Sequence, residues 1–214
     1  MLYSKLGVIN LALGKLGNST IVESLIEDTA ERIAATTVWD YIIDEVNEAK
    51  DWRFAKTRVF LGGGTPVDTN TYLGWDYAYQ LPSDFLRLAK STKDSIKNDP
   101  SVYPLGLIYK VEVVTGDPND YFVLLSDYDN ASEDMYIVYI KRQDLLVLWS
   151  PTAISALAFR LAAEMAFKLT EGMTKYNAMM SLYGKVLSLA EGITQSYDSL
   201  EDETGNSDWE NAGR

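Results

Sequence analysis

From Leu6 to Ala49 the apolar positions recur at three- and four-residue steps, and two helices follow from that spacing. In the first, Leu6, Ile9, Leu13 and Leu16 share a face that stops at Gly17-Asn18, residues suited to a positive-φ cap. Ser24 and Glu27 have capping-box spacing, and Asp28 adds a second acid at the positive end of the helix that follows. Ala30, Ile33, Ala34, Val38, Tyr41, Ile42, Val46 and Ala49 then predict a long helix over roughly 28 to 50. Its other face carries Glu31, Arg32, Asp40, Asp44, Glu45 and Glu48, a solvated face in a monomer and a subunit contact in an assembly.

The period changes near residue 56. "RVFLGGGTP" reads as a strand running into a turn, and "YAYQLPSDFLRL" as a strand stopped by Pro82. Two runs rich in Val, Tyr and Ile flank Gly116-Asp117-Pro118-Asn119-Asp120 and predict a hairpin, and "DMYIVYIKR" adds a strand. In "YKVEVV", Lys110 and Glu112 alternate with Val111 and Val113, the pattern of a sheet that covers a core on one side.

Helical spacing returns at Ser150-Pro151, where serine can cap and proline fits the first turn. Ile154, Leu157, Ala158, Leu161, Ala162, Met165, Ala166 and Leu169 form an inner face that ends at Gly172, and the alanines allow close helix approach. Tyr176, Met179, Met180, Tyr183, Val186, Leu187, Ala190 and Ile193 continue it in a last helix. Beyond Tyr197 only Leu200 and Trp209 interrupt an acidic, polar run. The predicted class is therefore α+β. An antiparallel helical bundle is drawn from both chain ends (1–55 and 146–197), a β-rich insertion spans 56–145, and 198–214 form a flexible acidic tail.

Charge and missing residue types narrow the chemistry. The formal net charge is -12, from 31 acidic and 19 basic residues, which opposes tight sequence-specific DNA binding. The chain has no histidine and no cysteine, so it can build neither a Ser-His-Asp nor a Cys-His group, nor a histidine or thiolate metal site. No stretch has the length and apolarity of a membrane span, and the N-terminal segment, broken by Lys5 and Lys15, does not read as a signal peptide. "GKLGNST" fails as a phosphate loop, because Leu16 follows Lys15 and Ile9 stands where the first glycine would be. Asp127, Asp129 and Asp134 suggest a cation loop, but an EF-hand begun at Asp127 needs glycine at Ser132 and glutamate at Val138. No cofactor or metal is expected. Only a carboxylate-based enzyme survives these exclusions, and the adjacent Glu133 and Asp134 would point to opposite faces of a regular strand.

Several stretches in this order resemble the tail tubular protein A family of short-tailed bacteriophages, the adaptor or gatekeeper ring of the tail. They are "INLALGKLG" (9–17), "SLIEDTAERIA" (24–34), "DWRFAKTR" (51–58), "YAYQLPSDFLRL" (77–88), "YIVYIKR" (136–142) and "WSPTAISALAFRLAAEMAFKLT" (149–170), and the resemblance covers most of residues 2–195. It implies a structural, non-enzymatic protein of the virion tail, made in the bacterial host cytoplasm. Its partners would be copies of itself in a ring of twelve, the portal protein, the tail nozzle protein, and double-stranded DNA passing through without sequence-specific binding. The helical part would form the ring body and the β-rich part would face the nozzle. Some members have been discussed as hydrolysing cell wall, so the alternative is a carboxylate-dependent cell-wall or polysaccharide hydrolase of the tail.

The candidate residues are structural and interfacial. Trp52 and Phe54 are expected to fill the junction between helical and β parts, with Arg53 pairing locally, or with Arg53 and Arg58 reaching Asp44 or Glu48 of a neighbouring subunit. Pro82 ends a strand, Asp84 is expected to accept backbone N–H groups in the turn, Phe85 to anchor it, and Arg87 to follow on the next strand. Leu157, Leu161 and Met165 should pack against Val38, Tyr41 and Ile42, and Trp209 is a candidate anchor that becomes buried on assembly.

Overall fold

The computed structural model describes residues 4–61, 65–66, 74–89, 109–115, 120–127, 135–170 and 173–204, with backbone alone at 65–66, 135–136, 170 and 191–204. The chain is mixed α+β and folds into two compact units, Met1–Phe54 with Gln143–Arg214, and Ala55–Arg142.

The first unit is helical. Helix α1 (Lys5–Lys15) starts at Ser4, whose side chain accepts the Gly7 N–H at 3.1 Å. It ends in a Schellman turn: Gly17 has φ 72, its N–H bonds Gly14 O at 3.1 Å, and Asn18 N–H bonds Leu13 O at 3.1 Å. That left-handed residue is why glycine stands there. The loop after α1 is pinned by Asn10, whose amide both donates to Val22 O and accepts from Val22 N–H at 2.9 Å, mimicking a strand partner.

Helix α2 spans Ala30–Ala49, and the capping box expected at Ser24 and Glu27 forms one turn too early to start it. Glu27 does bond the Ser24 N–H (3.2 Å), but Ser24 caps only a local turn to Ile26, and the helix N-cap is Thr29, which accepts from Arg32 N–H. The buried face is also rotated from the expected one. Ala34, Ala35, Trp39, Ile42, Ile43 and Val46 are buried, while Ile33 is exposed and Tyr41 is 60% exposed. Trp39 holds the largest apolar surface on the helix, and Ala35 one turn before it leaves room for the ring, so that stripe wins the interior.

Helix α3 (Pro151–Thr170) is the hub, since α1, α2 and α4 (Met173–Thr204) all pack on it. Ser150 caps it by accepting the Ala153 N–H at 3.2 Å. The expected face is buried from Ile154 to Ala166, and a second buried stripe runs through Ala153, Ala156, Arg160 and Ala163. A helix enclosed by three neighbours needs apolar or small residues almost all round, which this alanine-rich sequence supplies. Helix α4 is buried only at Tyr183 and Ala190 among its described side chains, with Tyr176, Met179, Val186 and Leu187 half-buried. The expected acidic tail from Asp198 is corrected in part: α4 continues through residues 198–204. Once a helix is nucleated by packing, each further residue adds one hydrogen bond, and no proline interrupts the run from Met173 to Thr204. Residues 205–214, with Trp209, lie outside the described part.

Among the described residues the second unit holds seven antiparallel strands: β1 Lys56–Leu61, β2 Thr65–Pro66, β3 Tyr77–Gln80, β4 Phe85–Leu88, β5 Lys110–Val114, β6 Tyr121–Ser126 and β7 Met135–Lys141. They form two sheets, ordered β1-β7-β4 and β2-β3-β6-β5. Between them Leu61, Tyr79, Leu81, Phe85, Leu124, Ile137 and Tyr139 make one apolar cluster. The hairpin pairs β5 with β6 in a register from Lys110↔Leu125 to Val114↔Tyr121. One-sided alternation does not hold on β5: Val111 packs on the core, but Val113 is exposed. Strand β5 is an edge strand, and Val113 lies toward its turn end opposite the exposed Phe122, whereas the central strands β6 and β7 are buried over Val123–Ser126 and Ile137–Ile140.

Candidate functional site

Two clusters in the helical unit and one in the β unit collect the chemically notable side chains. The first is where the chain leaves and re-enters the helical unit. Trp52 is buried and donates its indole N–H to Val46 O at 2.6 Å, in the last turn of α2. Phe54 stacks on Trp52 (centroids 5.8 Å apart) and on Trp149 (4.7 Å). Trp149 donates to Gln143 O at 3.1 Å, and the same carbonyl accepts from Asn47 Nδ2 at 3.4 Å. The stack therefore clamps residues 52–54 to residues 143–149. All three rings belong to the helical unit, with Trp149 supplying the third. Arg53 is exposed.

The second cluster is centred on Arg160, which sequence reasoning passed over. Its guanidinium donates through Nε to both oxygens of Glu45 (2.8 and 2.9 Å) and through Nη1 to Glu164 (2.6 Å). The Arg160 side chain is 5% exposed, against 30% for Glu45 and 26% for Glu164. Tyr41 lies under the guanidinium, 5.8 Å from its ring centroid, which explains why Tyr41 stays at the rim of α2. Burial lowers the pKa of Arg160, but the hydrogen bonds it donates to the Glu45 and Glu164 carboxylates, with their charge, outweigh it and the net shift is upward. The signal was legible in part: Arg160 and Glu164 are an i,i+4 pair inside an otherwise apolar helix. Glu45 lies 115 residues away along the chain and could not be read from spacing. Its expected place on an ordinary solvated face is thereby corrected.

Tyr183 of α4 lies against this group. Burial first, and then the Glu45 carboxylate, push its phenol up to about 12. A phenol whose folded pKa exceeds its unfolded value of about 10 holds its proton in the fold after the unfolded chain has lost it, so stability is full below about pH 10 and falls between about pH 10 and 12. Tyr183→Phe is expected to flatten that decline, by up to about 3 kcal/mol at its upper limit. Urea unfolding at a series of alkaline pH values measures it; parallel curves for variant and parent would refute the assignment.

Lysines of α1 have structural partners too. Lys15, the lysine of "GKLG", sits 3.6 Å from the centroid of the Phe159 ring, and Lys5 4.8 Å from that of Trp39. Burial lowers the Lys15 pKa. The stretch serves packing of α1, with its cation spent on an aromatic face.

In the β unit, Pro82 O accepts the Phe85 N–H at 3.0 Å and closes the expected turn. Asp84 differs from expectation: its carboxylate accepts the Tyr139 phenol at 2.9 Å rather than turn N–H groups, and its own carbonyl accepts from Arg142 N–H at 2.9 Å. Tyr139 comes from the central strand of the sheet, so the turn is tied across strands instead of to itself. Burial and then Asp84 raise the Tyr139 pKa well above its ordinary value. Phe85 is buried between Phe122 and Tyr139 (5.7 and 5.8 Å) as the anchor it was expected to be. Arg87 donates to Leu88 O at 3.0 Å and follows a bulge between Phe85 and Arg87. Arg58 is exposed on β1 and lines an open cleft with Lys56, Thr57 and Val138.

The expected helical anchors Leu157, Leu161 and Met165 are fully buried. Of their expected α2 neighbours, Ile42 is buried, Val38 half-buried and Tyr41 turned outward. Glu133, Asp134, Asp129 and Trp209 lie outside the described residues. Among the described residues no three acids gather as a metal site, and no helix is long and apolar enough to cross a membrane. No protein-family model matches the chain, and no curated protein sequence matches it.

Proposed function

We propose that the protein is a structural tail adaptor. It forms a ring, of twelve subunits on the family resemblance, between the portal and the tail nozzle of a short-tailed phage, and gives the genome a conduit. The observation that carries this reading is an apolar ledge on the helical unit. The 3-10 turn Leu146–Leu148 points Leu146 inward but leaves Leu145, Val147 and Leu148 exposed, Val147 by 70%. Three large apolar side chains so close together in sequence are costly in water unless another surface covers them. A neighbouring copy is the occupant we assign, because a helical unit drawn from both chain ends offers the same ledge on every subunit and repeats of one contact close a ring. The net charge of -12, multiplied around such a ring, supports passage of DNA without adhesion.

Mass measurement on the purified chain, alone and with its portal protein, is expected to show a high-order cyclic species. Leu145→Asp with Val147→Asp is expected to abolish it while circular dichroism stays that of the parent, since both side chains are already in water. A parent chain that remains monomeric and never binds portal would remove this reading. Rings that persist in the double variant would move the contact elsewhere on the subunit.

A further inference from the structure

We infer that the outer edge of β1 at Lys56 and Arg58, with the cleft beside it, is a docking strip for an extended acidic peptide. Strand β1 is the end strand of its sheet, paired on one side to β7 from Lys56↔Ile140 to Leu61↔Met135, and no described strand pairs with its other side. An edge strand presents backbone donors and acceptors in a row that matches another extended chain, the geometry of β-augmentation. On the sheet face beside this edge, over the β1–β7 pair, lies a cleft of about 340 Å³ lined by Lys56, Thr57, Arg58 and Val138.

The cleft is positive in a chain that is strongly negative overall. Lys56 and Arg58 are two residues apart and so project to the same face, about 7 Å apart along the strand. Val138 is the register partner of Arg58 and supplies the apolar floor. Neither Lys56 nor Arg58 has an ion-pair partner among the described residues, in contrast to Arg32, Lys110 and Arg160.

These features select the occupant. A peptide running along β1 repeats its side chains at the spacing of Lys56 and Arg58, so carboxylates at alternate positions meet both cations while its backbone meets the strand edge. A nucleic-acid strand could meet the cations but has no row of N–H groups for the edge, and the net charge of -12 repels a long polyanion more than a short acidic peptide. The inference stands on β1 and its cleft alone and does not depend on ring formation.

The test is fluorescence anisotropy of a labelled short peptide of alternating glutamate and threonine, titrated with the full chain. Saturable binding is expected. It should weaken as salt is raised, and by about tenfold or more in Lys56→Glu/Arg58→Glu, with Arg58→Lys retaining most of it. Hydrogen exchange at β1 amides should slow when the peptide is bound, which simple charge attraction would not produce. Lys56→Gln/Arg58→Gln removes charge without reversing it and provides the same comparison should the reversed variant misfold. Unchanged affinity in the charge variants would overturn the inference, as would equal binding of an alternating lysine-threonine peptide. Tighter binding of a single-stranded oligothymidylate than of the acidic peptide would overturn it in favour of a polyphosphate site.

Discussion

Leu161→Asp is expected to unfold the helical unit. Leu161 is fully buried on α3, the helix on which α1, α2 and α4 all pack, so no rotation of the side chain brings a carboxylate to water. Truncation alone, as Leu161→Ala, should cost about 2 to 5 kcal/mol by lost transfer energy and the cavity left behind. An unpaired buried charge adds several kcal/mol more, out of a total of about 5 to 15 for an ordinary domain. Leu161→Met, which nearly conserves volume, should cost less than about 1.5 kcal/mol. Circular dichroism and particle size measured together separate the roles of this face. Lost helicity is the expected result for Leu161→Asp. Retained helicity with rings absent would place Leu161 between subunits, and parent-like helicity with parent-like rings would show that the side chain is not enclosed.

The contrast between Leu161 and Val147 shows what the sequence could convey. Periodicity announced Leu161 as an inner-face residue, whereas Val147 stands before the helical run and carries no period, and only the fold shows one enclosed and the other exposed. The α+β class, the strand-rich middle and the expected face of α3 were legible because each is written in a local period. Gly17 was legible because a helix end needing positive φ selects glycine. The rotation of α2 was not, since Ile33 and Tyr41 fit the helical period as well as Trp39 and Ile43 do, and the choice is made by what packs across from them. Asp84 was read as a local turn acceptor, yet its partner Tyr139 lies 55 residues on and reaches it only through the strand order β1-β7-β4. The same limit hid the aromatic clamp, where Trp149 joins Trp52 and Phe54 across the whole β insertion.

The Arg160 group should show a stability order that separates a buried cation from its better hydrated carboxylates. Arg160→Met removes both ion pairs and the Tyr41 contact, but it leaves Glu45 and Glu164, whose side chains are 30% and 26% exposed and still reach water. The expected cost is about 2 to 4 kcal/mol, below the usual range for orphaning a fully buried charge. Glu45→Gln with Glu164→Gln does the reverse. It leaves a guanidinium with a 5% exposed side chain and no carboxylate, and since arginine does not shed its proton in proteins, the charge stays buried at a cost of about 3 to 5 kcal/mol or more. Combining all three replacements removes every charge at once, and the triple variant should be more stable than the double glutamine variant despite carrying one more substitution, because desolvating the group costs nearly what its internal attraction returns. Urea unfolding of the four proteins at neutral pH measures the order. A double glutamine variant as stable as the parent would mean that the Arg160 head group reaches water in solution, and a triple variant less stable than the double would mean that the arginine is held by its packing and not by the two glutamates.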